Sequence, residues 1–167
     1  MVRPLLGMLL LAGVAPSTAW AACPPCSGGT TPVSVLFSGP DMEVDAFFRA
    51  SRSQWYRVHR PSGVDDYGSI VVTSVDELRQ KIQELANQCK RIRFLGFVTH
   101  GSPGVITLGP ARLNYHDLYG AFEGLTCVMT PKAEISFSGC NVARGCRGED
   151  FLAGIARHLL RDGGGVV

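Results

Sequence analysis

The sequence predicts an α/β fold with a mainly parallel central sheet and helices on both faces. Three observations carry this. Short apolar runs of strand length alternate with amphipathic stretches of helix length, the pattern of βαβ units. The runs Val33 to Phe37, Ile92 to Val98 and Ala133 to Ser138 read as strands of such a sheet. The apolar fraction, 46% of 167 residues, is enough for one packed core and too little chain for two ordinary domains.

The elements follow in order. Residues 1–21 read as a signal peptide: Arg3 gives a positive start, Leu5 to Val14 an apolar stretch, and Ala19-Trp20-Ala21 a cleavage pattern. That stretch is too short for a permanent membrane span. Acylation at Cys23 is the alternative fate of this terminus, against which Trp20 counts as a poor fit. Residues 22–32, rich in Pro, Gly and Thr, read as a flexible linker, and residues 33–167 as the folded domain, incomplete at its carboxyl end.

Val33 to Phe37 is a buried strand. Ser38-Gly39-Pro40-Asp41 is a turn in which Asp41 caps a helix carrying Val44, Phe47 and Phe48. Trp55 to His59 is read as a second strand and Gly63 to Gly68 as a polar loop. Ser74 caps an amphipathic helix from Val75 to Cys89, with Val75, Leu78, Ile82 and Leu85 on one face. Ile92 to Val98 is the next strand. It ends at Thr99-His100-Gly101-Ser102-Pro103-Gly104, after which Val105 to Leu108 forms a hairpin arm closed by Gly109-Pro110. Leu113 to Leu125 is read as a helix. Ala133 to Ser138 is a strand leading into Gly139-Cys140-Asn141, and Phe151 to Leu160 is the last helix. Val166 and Val167 open a further strand.

Composition excludes some functions. A net charge of +2, without a basic run, argues against nucleic acid as a partner. No glycine-rich loop has the spacing that cradles a nucleotide. His100, Cys140 and Cys146 lack the close spacing of a structural zinc site, so no metal and no cofactor are expected. Export gives the six cysteines meaning. Cys23 and Cys26 suggest a local disulfide or a tether, Cys89 and Cys127 are candidates to pair, and Cys146 is a candidate partner that would silence Cys140.

His100 and Cys140 carry the chemistry. Each directly follows an apolar strand, and in an open parallel sheet ligands gather outside the carboxyl ends of the strands. A cysteine nucleophile acts as its thiolate and needs a neighbour to take its proton; histidine does this and can return the proton to a leaving amine. Gly101 and Gly139 beside them expose backbone N–H groups of the kind that hold an oxyanion. Gly139 and Asn141 shape the loop around the nucleophile. His59, His116 and His158 lack such neighbours and read as surface or helix-face residues.

Phe97 to Gly109 (FVTHGSPGVITLG) and Ala133 to Ile155 (AEISFSGCNVARGCRGEDFLAGI) resemble the caspase–gingipain clan of cysteine peptidases. They are most similar to a branch marked by His-Gly-x-x-Gly and Gly-Cys-Asn-Val-Ala, found near the N-terminus of exported bacterial surface proteins. The resemblance covers about residues 33–167. It implies a three-layer caspase-like sandwich, a catalytic dyad of His100 and Cys140, and an oxyanion site made by the N–H groups of Gly101 and Cys140. Ser138-Gly139 stand before the cysteine where caspases carry Gln-Ala. The function implied is an exported cysteine endopeptidase acting on a polypeptide. A catalytically silent recognition or processing module at the head of a longer surface protein is the alternative.

Overall fold

The computed structural model describes residues 23–44 and 61–167. The expected signal peptide, the strand at Trp55 to His59, and the Phe47–Phe48 part of the helix after Asp41 lie outside the described residues.

The elements in chain order are β1 (Thr31–Ser38), α1 (Pro40–Val44), β2 (Asp65–Val71), α2 (Val75–Asn87), β3 (Lys90–Val98), β4 (His100–Ser102), β5 (Val105–Leu108) and β6 (Ala111–Asn114). There follow a 3₁₀ turn (Tyr115–Asp117), α3 (Leu118–Phe122), a second 3₁₀ turn (Thr126–Val128), β7 (Met129–Ser138), α4 (Gly145–Leu159) and β8 (Gly165–Val166). Five strands form a parallel sheet in the order β2-β1-β3-β7-β8, and β4, β5 and β6 form a small antiparallel sheet. The expected α/β architecture with a mainly parallel central sheet is present, and the layering is that of a three-layer sandwich.

β1 and β3 are buried over residues 33–38 and 94–98, whose side chains are mostly apolar, whereas β7 alternates and buries Ala133 and Ile135 between half-exposed neighbours. Val33, Val35, Phe37, Ile92, Leu95 and Phe97 are at most 1% exposed. They pack with Leu78, Ile82 and Leu85 of α2 and with Phe151 and Ile155 of α4. Leu36 and Val98, which alternation turns to the opposite face, meet Met42 of α1 in a second, small cluster. Phe37, Phe97 and Phe137 stand in one cross-strand row. Their rings stack at 6.0 and 5.1 Å, and Phe137 continues edge-on to Phe151 at 5.8 Å. This aromatic row lies one residue below the last paired residues of the strands.

α2 begins where the sequence places it. The Ser74 hydroxyl accepts the Glu77 N–H at 3.0 Å, while the Glu77 carboxylate accepts the Thr73 N–H at 2.7 Å and the Thr73 hydroxyl at 2.8 Å. These bonds hold the Glu77 carboxyl below its ordinary range. The helix stops at Asn87 because Cys89 turns to φ 57°, the left-handed region.

Four readings need correction. Residues 65–71, half of which were read as loop, form the edge strand β2; its mixed, partly exposed side chains and Gly68 disguise it. Leu113 belongs to β6, and the segment after it is broken into short helical turns rather than one helix to Leu125. α4 starts at Gly145, six residues before Phe151.

The fourth concerns the cysteines. Cys23 bonds Cys127 and Cys26 bonds Cys89, so Cys23 does not pair with Cys26, nor Cys89 with Cys127. Spacing along the chain does not decide pairing; distance between backbones does. β1, β3 and β7 all start at the same edge, so Cys26 beside β1 meets Cys89 beside β3, and Cys23 meets Cys127 before β7. The segment read as a linker is therefore stapled twice, and its last two residues belong to β1. Cys146 is a free thiol, as is Cys140.

A histidine and a free cysteine at the carboxyl rim

The register of the sheet builds the site. Val98 pairs with Ser138 across β3 and β7, and the Thr99 N–H donates to the Ser138 carbonyl at 3.3 Å. His100 and Cys140 are each two residues beyond that pair. Adjacent strands lie about 4.8 Å apart, so the two side chains start from neighbouring points on one rim. His100 is exposed and Cys140 is exposed.

The expected companions are there too. A Cβ on Gly101 would lie 3.3 Å from the Cys140 carbonyl oxygen and 2.5 Å from Cγ2 of Val142, so the histidine and cysteine segments touch through a position only glycine fits. Gly139 is likewise pressed against the Thr99 carbonyl. Asn141 takes φ 58°, and the Arg144 N–H closes a turn on its carbonyl at 3.0 Å.

The small sheet clamps this loop. The Gly104 N–H, at the tip between β4 and β5, donates to the Val142 carbonyl at 2.9 Å. The Thr107 hydroxyl of β5 donates to the His100 carbonyl at 2.9 Å, fixing the backbone that bears the imidazole. On the other side, Gly148 of α4 sits so close that a Cβ would meet the Ala143 carbonyl carbon at 2.2 Å. Hairpin, loop and helix are thus interlocked around Cys140.

A cleft of about 530 Å³ opens beside the cysteine, lined by Phe137, Gly139, Asn141, Arg144 and Leu152 among others. It follows the part of the β7 edge beyond Ala133 and Glu134, the two residues that β8 pairs with. Among the residues that line it Arg144 is the one with a charged side chain.

Asp41 joins this rim as well. Asp41 was expected to cap α1; instead its Oδ2 lies 3.5 Å from Nε2 of His100, and its Oδ1 is buried without a hydrogen-bond partner. The signal was available: Asp41 follows the buried strand β1 as His100 follows β3 and Cys140 follows β7. His116 and His158 are each in an edge-on contact with a tyrosine, Tyr115 and Tyr119 respectively, and His116 lines a cleft with Gly104 and Arg147. His59 lies outside the described residues.

Fold and rim together define an α/β protein that presents a histidine and a free thiol at the carboxyl edge of a parallel sheet. Residues 62–162, which include both, match the family model described as a domain of unknown function, DUF4347. The chain belongs to that family. Neither a curated protein nor a solved structure matches it.

Proposed function

We propose that the protein is an exported cysteine endopeptidase of caspase-like architecture, using His100 and Cys140. The observation that carries the reading is the register: two chemically complementary side chains stand at equal depth beyond two neighbouring parallel strands. It is supported by the state of the cysteines. Four are bonded and two are free, and one of the free pair follows directly on the rim. Disulfides persist in oxidising compartments, which agrees with the N-terminal sequence and supports export. No helix among the described residues is long and apolar enough to cross a membrane.

In this reading His100 takes the thiol proton and the Cys140 thiolate attacks the scissile carbonyl carbon. The N–H groups of Gly101 and Cys140 receive the oxyanion. The C–N bond breaks as His100 delivers its proton to the amine. Water, deprotonated by the same imidazole, then releases the acyl group and restores the thiol. The cleft beside Cys140 takes a side chain of the substrate.

The test is digestion of an unbiased peptide library by the whole chain, read by mass spectrometry. Cleavage lost in both Cys140→Ala and His100→Ala, and blocked by iodoacetamide, supports the reading. Peptides left intact by the unmodified protein, or cut equally by the two variants, overturn it.

A further inference from the structure

We propose that Asp41 is a positioning residue for His100, making the rim a three-residue Asp41–His100–Cys140 relay. The inference rests on the peptidase reading for what the relay accomplishes. Its geometry stands separately.

The sheet order β1-β3-β7 places the strand of His100 between that of Asp41 and that of Cys140. Phe37, Phe97 and Phe137 form one row, and Asp41, His100 and Cys140 follow them by four, three and three residues. The segment bearing His100 therefore lies between those bearing Asp41 and Cys140. Asp41 Oδ2 is 3.5 Å from His100 Nε2, a separation that catalytic pairs show before substrate tightens them.

One oxygen of the carboxylate is enclosed, although the side chain as a whole is 37% exposed. Its Oδ1 is buried with no hydrogen bond, so α1 does not use it as a cap. A Cβ on Gly39 would strike that oxygen at 2.4 Å, and a Cβ on Gly109 in the β5–β6 turn would lie 3.0 Å from Pro40. The backbone is thus cut to admit this side chain and anchored to the hairpin that holds His100.

The consequence is a tautomer. With Nε2–H donating to Asp41, the Nδ1 lone pair accepts the proton from Cys140 Sγ, and the carboxylate stabilises the imidazolium that results. When the C–N bond breaks, the same proton leaves on the amine and the imidazole returns to its Nε2–H form.

The experiment uses the full chain and Cys146→Ser as background. Trypsin cuts after Lys132, Arg144 and Arg147, so the Cys140 peptide is unambiguous. Asp41→Asn is expected to slow iodoacetamide alkylation of Cys140 at pH 7 by about tenfold, and to lower kcat by about 10²-fold with little change in KM. Asp41→Glu, which keeps the charge, recovers most of both. Imidazole ¹⁵N spectra give the readout a merely structural role would not move: neutral His100 is Nε2–H in the unmodified protein and mixed in Asp41→Asn. If Asp41→Asn leaves tautomer and alkylation unchanged while His100→Ala slows alkylation, the relay is overturned and the dyad stands. If His100→Ala has no effect either, the dyad falls and the relay with it.

Discussion

The two ends of the central sheet use cysteine in opposite ways. At the end where β1, β3 and β7 begin, Cys26 is bonded to Cys89 and Cys23 to Cys127. At the end where β3 and β7 finish, Cys140 and Cys146 are free and exposed. The difference lies in what each end must do. The starting end anchors an N-terminal segment that has little apolar surface of its own, and covalent bonds substitute for packing there. The finishing end is fixed without covalent bonds, by glycines that let the hairpin, the cysteine loop and α4 interlock. It can therefore keep a thiol available.

The largest contrast is expected from exchanging Cys140 at one end and the Cys26–Cys89 pair at the other. Cys140→Ala removes peptide cleavage, by about 10³-fold or more, and leaves the unfolding midpoint within about 2 °C, since an exposed side chain contributes little to packing. The pair Cys26→Ser and Cys89→Ser does the reverse. Their bond spans a sequence separation of 63, and loop-closure entropy assigns it about 4 kcal/mol, or a fall in Tm of about 10 °C. Cleavage and Cys140 alkylation by the folded fraction remain within about twofold. A loss of rim chemistry on cutting that staple would show that the two ends are mechanically coupled, and the contrast would fail.

A smaller effect is expected at Gly148, where α4 meets the cysteine loop. Gly148→Ala puts a methyl into the Ala143 backbone, and overpacking of this kind costs about 2 kcal/mol. Because the displaced segment is residues 142–143, the variant should also change the alkylation rate of Cys140 relative to Cys146. Calorimetry and peptide mass spectrometry read the two effects on one sample. Equal rates with lowered stability would mean that the loop keeps its shape independently of the helix.

How much of this could be read from sequence follows the same division. The strands β1 and β3 were legible because their apolar runs are long and buried, and β7 because Ala133, Ile135 and Phe137 alternate with polar residues at the period of a strand. β2 was not, because an edge strand with Asp65, Asp66, Gly68 and Ser69 has the composition of a loop; its pairing with β1 makes it a strand. Leu113 was misplaced because it is apolar like Leu118 and Phe122, although offsets of five and nine residues do not put it on their helical face; its backbone is held opposite Ile106. His100 and Cys140 were legible because a reactive side chain after an apolar strand stands out against its surroundings. Asp41 follows the same rule, yet an aspartate before a helix has an adequate local explanation in capping. Only the register between β1 and β3 shows that its neighbour is His100. Disulfide pairing was illegible for a like reason: nothing local distinguishes Cys89 as the partner of Cys26.

The smallest effect concerns α4, which runs from the cysteine loop at Gly145 to His158 in its last turn. A helix C-terminus favours a protonated histidine, but burial outweighs this, and Arg157 and Arg161 act in the same direction as burial, so the His158 pKa lies below the ordinary imidazole value of 6.5. The folded protein then binds this proton more weakly than the unfolded chain does. The stabilisation is complete above pH 6.5 and is lost as the pH falls toward the lowered folded value. His158→Gln should therefore match the unmodified protein's pH dependence of Tm at pH 7 and above, and decline less steeply below 6.5, by about 2 °C at most. Cys140 alkylation should show no difference between the two proteins at any pH in that range. A shift in the alkylation profile would mean that charge at the far end of α4 reaches the rim, so that the helix links the two ends electrically as well as by packing.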